Sequence, residues 1–223
     1  MQPATFSEAR EELVKATHYL ASHNLLFRGN HANLSARIVD DRIVMTKGGN
    51  IANLNVDDFA LLSGTGEILE GDMDPVMAEI VNMHVSIYQV RPSCGAVIHT
   101  HAAHVTAFAV AQKSIPLVYE PLLRLGLTEP VPVIPWAPRG SKASVDQIRD
   151  VAQHHPGLSA VLMANHGILV FGKDAMNTAT ILGTIEEAAD LYIMAQSLGG
   201  AKLLPERAVQ EVTERMQAFG STH

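Results

Sequence analysis

The sequence predicts an α+β fold, a mostly antiparallel central sheet flanked by helices. Three observations predict it. Two pairs of apolar segments meet at short polar turns early in the chain, so the sheet begins as hairpins. The later strands and helices lack the regular alternation that a doubly wound parallel sheet requires. No repeat, low-complexity tract or linker interrupts the order, and the 223 residues are expected to form one domain over 1–223.

Leu13, Ala16, Thr17, Leu20 and Leu25 recur at helical spacing behind Ser7, which reads as a cap for a first helix ending near His23 and Asn24. Residues 33–39 and 42–46, joined at Asp40-Asp41, form the first expected hairpin. Residues 59–63 and 67–70, joined through Gly64-Thr65-Gly66, form the second. Asp74-Pro75 opens a helix, because aspartate accepts from free first-turn amides and proline needs no partner there; it is expected to run to about Val90. Arg91-Pro92 ends it, and Gly95-Ala96-Val97-Ile98 reads as a short buried strand with His99 at its tip. A further strand starts near Val131. Ser144 with Gln147 resembles a capping box for a helix to about His155, stopped by Pro156-Gly157. Residues 159–163 and 168–171 are strands separated by a turn at Asn165-His166-Gly167, and a long helix runs from about Asp174 to Leu198.

Composition narrows the function. With 47% hydrophobic and 17% charged residues, the chain can bury a core and still carry surface suited to burial between subunits, so an oligomer is expected. A formal charge of −7 without a basic run excludes nonspecific nucleic-acid binding. The lone cysteine, Cys94, suits a reducing compartment, and Glu8, Glu11 and Glu12 break any secretory layout, so the cytoplasm is favoured. Residues 94–112 are apolar and free of charge but hold three histidines, too polar for a membrane span.

The strongest chemical signal is His99-Thr100-His101. Histidines two apart on extended backbone project to one side and can grip one ion, while Thr100 points away. Two ligands leave a metal under-coordinated. His166, followed by a glycine that lets the backbone pass close, is the best third candidate, and Glu79 on the preceding helix could face the same cavity as ligand or as acid/base. Among 11 histidines a chance His-x-His is not rare; His154 and His155 are better read as cations at a helix C-terminus.

Further residues extend the pattern. Gly29-Asn30-His31-Ala32-Asn33-Leu34-Ser35, Met45-Thr46-Lys47-Gly48-Gly49, Arg91-Pro92 with residues 96–104, and Ala164-Asn165-His166-Gly167 occur in that order. Together they resemble the class II aldolase/adducin family. The resemblance implies a three-layer α/β/α domain and a divalent ion, zinc or else manganese or cobalt, on His99, His101 and His166, with Glu79 as a carboxylate that can leave the metal and move a proton. It implies a cyclic homotetramer with interfacial sites, where Tyr119 or Glu120 serves a neighbouring subunit as an acid. The implied reaction is retro-aldol cleavage of a small molecule through a metal-stabilised enolate. Decarboxylation of a hydroxy acid and a non-catalytic scaffold are the alternatives.

Three departures from the family pattern shape the expectations. Glu79 stands five residues before His84 where the family usually has four. Met77-Ala78 and Gly48-Gly49 stand where phosphate-using members carry hydroxyl residues, so the expected substrate is a hydroxy or keto acid. Asn33, Thr46 and Gly49 are the expected polar lining, and Arg28, His31, Lys47 or Arg124 would hold a carboxylate.

Overall fold

Residues 5–26 and 31–220 are described by the computed structural model of the protein. In chain order the elements are α1 (Phe6–Ser22), β1 (Ala32–Ile38), β2 (Arg42–Thr46), a 3-10 turn (Ile51–Asn53), β3 (Phe59–Ser63), β4 (Ile68–Glu70), α2 (Pro75–Ala78), α3 (Val81–Val90), β5 (Ala96–Thr100), α4 (Ala103–Ala111), α5 (Glu120–Arg124), β6 (Val133–Ile134), α6 (Lys142–His154), β7 (Ala160–Met163), β8 (Gly167–Gly172), α7 (Ala175–Ala195), a second 3-10 turn (Gln196–Leu198) and α8 (Arg207–Gly220). The strands form one sheet in the order β4-β3-β2-β1-β5-β8-β7-β6, antiparallel throughout except for the β6–β7 pair.

Side-chain alternation builds three layers. Ala32, Leu34 and Ala36 of β1, Ile98 of β5 and Val170 of β8 pack against α1, α4 and α7, while Ile43, Val97, Leu169 and Phe171 face α3 and α6. Each fully buried Leu, Ile or Val stabilises such layers by about 1.5–3 kcal/mol. The expected mostly antiparallel sheet between helices is therefore what forms. Asp40 and Asp41 turn the first hairpin with φ of 59° and 52°, two left-handed residues in the three-residue connection between Ile38 and Arg42.

The caps differ from expectation. Helix α1 starts two residues earlier, on a Thr5–Glu8 capping box instead of Ser7. Helix α6 is capped by Ser141, which accepts from the Ser144 amide, so Ser144 lies inside the first turn. The helix expected from Asp74 to about Val90 is two helices, broken at Glu79-Ile80. Helices α4, α5 and α8 were not anticipated. Ala102 at the start of α4 offers no side-chain cap; Glu186 of α7 supplies one instead, accepting from the His104 and Val105 amides at 2.9 Å.

Arg91 closes the far end of the α3–α6 layer. Its guanidinium donates to the carbonyls of Ala152, His155, Pro156 and Leu158, satisfying groups that the end of α6 leaves open. Replacing Arg91 with alanine is expected to lower stability by about 2 kcal/mol, read as a drop in urea midpoint at unchanged m-value.

Candidate metal centre

Three imidazoles converge at one end of the sheet. His99 sits in β5 beside Asn33 of β1, its partner in register, and His101 follows just beyond the strand. Thr100 turns to the opposite face, donating to the Leu25 carbonyl at 2.6 Å and accepting from the Ala102 amide at 2.9 Å. The i, i+2 reading of His99 and His101 therefore holds. Asn165, with φ of 58°, makes the tight turn between β7 and β8 that brings His166 back over the sheet. A Cβ on Gly167 would lie 2.6 Å from His101 Cδ2 and 2.6 Å from the Thr100 carbonyl oxygen. Only glycine fits there.

The ring centroids lie 4.8, 4.8 and 5.0 Å apart, and one nitrogen from each ring falls within 4.8 Å of the others. His99 Nδ1–H donates to the Ile168 carbonyl at 2.8 Å, which leaves Nε2 with its lone pair facing inward. The Nε2 atoms of His99 and His101 are 3.1 Å apart. Nitrogens that share a tetrahedral ion at 2.0–2.1 Å are about 3.4 Å from one another, so the donor set suits one small divalent cation. Burial, with the neighbouring rings second, holds His99 well below the usual histidine value. Burial and His166 bring His101 down to about 4. Burial and then Arg139 lower His166 as well. Near pH 7 all three rings are neutral, the state a metal ligand needs. Three neutral ligands also leave the ion's charge intact and a coordination position open.

These rings line a cavity of about 450 Å³ together with His31, Asn33, Gly48, Gly49, Asp74 and Arg139. A larger cleft of about 730 Å³ opens between α1, α4 and α7. Its Glu186 is engaged by His104 and the α4 amides, and among the described residues the histidine triad is the one cluster with metal-ligand spacing.

Of the expected lining residues, Asn33, Gly49 and His31 reach the cavity. Thr46 does not: it is fully buried, and its hydroxyl accepts from the Leu34 amide at 3.3 Å. Lys47 turns to another surface, donating to the Asp57 carbonyl at 3.0 Å. Arg28 lies outside the described residues. Arg124 is paired with Glu120 at 2.6 Å on the surface of α5. Tyr119, whose hydroxyl bonds Glu187, has its pKa raised by desolvation first and by that carboxylate second. Neither Tyr119 nor Glu120 is among the described residues lining the cavity of their own chain. Glu79 stands at the helix break, exposed, with its carboxylate 3.2 Å from Arg139 Nη2 and outside the histidine cluster.

Comparison with known proteins shows the family. The family described as Class II Aldolase and Adducin N-terminal domain matches residues 11–193. The chain belongs to this family. It is 30% identical over 175 residues to a 3-oxo-tetronate 4-phosphate decarboxylase of Haemophilus influenzae, covering 75% of this chain and 79% of that protein. It is 29% identical over 196 residues to a 5-methylthioribulose-1-phosphate/5-deoxyribulose-1-phosphate aldolase of Escherichia coli, covering 87% and 89%. A solved L-fuculose 1-phosphate aldolase superposes with a TM-score of 0.84 at 25% identity, covering 95% of this chain and 97% of that one.

In this class II aldolase/adducin chain, Arg139 is the cavity residue that sequence reading missed. It follows Pro138 and precedes Gly140, whose φ is 70° and whose absent Cβ would lie 2.2 Å from the Glu79 carbonyl oxygen. The Pro-Arg-Gly triplet signals a turn, but nothing local ties that turn to the histidines. Asp74, read only as a cap, does cap α2 through the Val76 amide at 2.8 Å and also borders the cavity beside Gly48.

Gly167→Ala is expected to displace His101 and weaken any divalent-metal binding at the cluster at least about tenfold, by analogy with disturbed ligand orientation, with far-ultraviolet circular dichroism unchanged; calorimetric titration with divalent ions reads it. A pH dependence follows from His84, fully buried beneath the site and brought by desolvation from 6.5 to about 3. Above about 6.5 it is neutral in both folded and unfolded chains and adds no slope. Between about 6.5 and 3 the unfolded chain binds a proton that the folded chain does not, so stability falls with pH by up to about 1.4 kcal/mol per unit. Urea titrations of the apoprotein at pH 7 and 5 are expected to show a shallower loss in His84→Gln than in the wild type.

Proposed function

We propose that this chain is a divalent-metal-dependent carbon–carbon lyase that performs retro-aldol cleavage of a small hydroxy or keto acid. The observation that carries it is the convergence of three neutral imidazoles on a cavity that also holds a guanidinium and a carboxamide. A divalent ion on His99, His101 and His166 would supply Lewis-acid stabilisation for a carbonyl oxygen that gains negative charge. Arg139 supplies a planar, permanently charged fork for the acid end of the substrate, and its proximity lowers the pKa of His101 and His166. Asn33 offers a hydrogen bond to a substrate oxygen. Gly48 and Gly49 carry no hydroxyl in the cavity, and the Asp74 carboxylate beside them disfavours a doubly charged phosphate at that end.

In this reading Glu79 moves the proton, and its contact with Arg139 at the cavity rim is the support for that role. Tyr119 or Glu120 acts as the acid on the aldehyde side of a neighbouring subunit's cavity, in a zinc-dependent cytoplasmic homotetramer built from one such domain. Exposed Leu191, Met194, Leu198 and Leu203 are apolar surface of the kind that subunit contacts cover. No described helix is long and apolar enough to cross a membrane.

Decarboxylation is the second reading, favoured by the 30% identity to a protein named as a decarboxylase. Both reactions break a carbon–carbon bond beside a carbonyl and leave the electron pair as an enolate, so the same residues serve either. The complete histidine set weighs against a non-catalytic scaffold.

The test is to supply the zinc-, manganese- or cobalt-loaded protein with hydroxy and keto acids and with phosphorylated aldols, measuring aldehyde and carbon dioxide separately. Turnover of an acid, abolished by chelation and in His99→Ala, is expected. A phosphorylated aldol with a higher kcat/KM than every acid refutes the acid assignment, and folded protein that binds no metal refutes the enzyme. Arg139→Ala is expected to raise KM for the acid about tenfold or more, as loss of a charge-assisted hydrogen bond does.

A further inference from the structure

We infer that His84 is a positioning residue for the reaction, the centre of a buried hydrogen-bond chain from Tyr88 through Ser35 that fixes the Asn33 carboxamide with its NH2 group toward the cavity. This rests on the reading of the cavity as the lyase site. Asn33 and Ser35 are alternate residues of β1 on the α3 face of the sheet, and His84 and Tyr88 are one turn apart on α3. His84 Nε2 lies 2.6 Å from Asn33 Oδ1, His84 Nδ1 lies 2.8 Å from Ser35 Oγ, and Ser35 Oγ lies 2.8 Å from the Tyr88 hydroxyl. All four side chains are buried, at 5% exposure or less.

The direction of the chain follows from counting protons. A neutral imidazole has one N–H and one lone pair. Since His84 Nε2 faces the carboxamide oxygen, Nε2 donates and Nδ1 accepts from the Ser35 hydroxyl. Ser35 Oγ in turn accepts from Tyr88, and every hydroxyl proton in the chain has an acceptor. Arg37 anchors the far end, with its guanidinium carbon 4.9 Å from the centre of the Tyr88 ring and one Nη donating to the Tyr88 carbonyl. With Oδ1 occupied, the remaining face of the amide is its NH2, and Asn33 lines the cavity next to His99, its partner in register.

The consequence is electrostatic. An oxygen that gains negative charge as the carbon–carbon bond breaks meets donors already oriented, with no reorganisation required at that moment. Were the amide free to rotate, it would present its carbonyl oxygen to the same charge and oppose it. Serine is the switch. Without the Ser35 hydroxyl, Nδ1 of a neutral imidazole no longer has a proton donor, the other tautomer becomes competitive, and Nε2 then accepts from the amide and turns the carbonyl oxygen inward.

The experiment combines a tautomer readout with kinetics on the acid that the wild-type enzyme cleaves. Nitrogen-15 NMR of histidine-labelled zinc-loaded protein is expected to show His84 neutral and protonated on Nε2, with the resonance assigned by its loss in His84→Gln. Ser35→Ala is expected to lower kcat about tenfold or more, with KM within about threefold and stoichiometric zinc retained. His84→Gln, whose amide can still donate to Asn33, is expected to recover most of the rate that His84→Leu loses. Protonation on Nδ1 in the wild type, an unchanged kcat in Ser35→Ala, or zinc loss accounting for the defect overturns the inference. If no acid is turned over, the functional proposal fails on its own, while the NMR result still decides whether the chain runs in this direction.

Discussion

The hydrogen bond from His99 Nδ1 to the Ile168 carbonyl ties the histidine cluster to the sheet. It joins a β5 side chain to the backbone of β8 at the point where the two strands pair antiparallel, with His99 opposite Leu169. That one contact selects the tautomer of His99, aims its second nitrogen at His101 and sets the height of the β7–β8 turn that carries His166. A slip of one residue in the β5–β8 register would move His99 to the α7 face and replace it with a hydrophobic neighbour. The core packing of Ile98 and Val97 on opposite faces prevents such a slip, so the hydrophobic layers and the ligand geometry depend on the same pairing.

Burial then decides the charge state. Imidazoles withdrawn from water lose the protonated form, and Arg139 and the mutual proximity of the rings push in the same direction. The same desolvation keeps His84 neutral one layer deeper. A cation can therefore enter without displacing protons near neutral pH. The polar chain beneath the site is paid for by complete hydrogen bonding, since a buried polar group left unpaired would cost about 1–3 kcal/mol.

The cavity gathers residues from distant parts of the chain. β1 contributes Asn33, the β2–β3 connection contributes Gly48 and Gly49, and the β6–α6 loop contributes Arg139, which pairs with Glu79 at the break between α2 and α3. The break at Glu79-Ile80 falls between Glu79 and His84. A continuous helix would place those two side chains five positions apart and on different faces. Ending α2 at Ala78 and restarting at Val81 lets α3 bury His84 and Tyr88 under the sheet while Glu79 stays exposed against Arg139.

Much of this was legible in the residues themselves, because it depends on local geometry. Alternation in β1 and β2, the aspartate pair of the first turn and the proline at the start of α2 act within a few residues, as does the projection of His99 and His101 to one side of an extended strand. Other features depend on contacts between segments far apart in sequence. Helix α4 begins at an alanine and was invisible because its cap is Glu186 of α7. Thr46 and Lys47 carry suitable chemistry, yet the pairing of β1 with β2 uses one hydroxyl internally and the Asp57 carbonyl holds the other side chain elsewhere. Arg139 enters the site only because Gly140 lets its loop pass against the Glu79 backbone. The sequence by itself determined the type of most strands and helices and the residues of the candidate metal cluster, since backbone sterics and hydrophobic periodicity operate locally. The tertiary structure alone decided which polar groups face the cavity, because that depends on which hydrogen bonds the packed layers have already claimed.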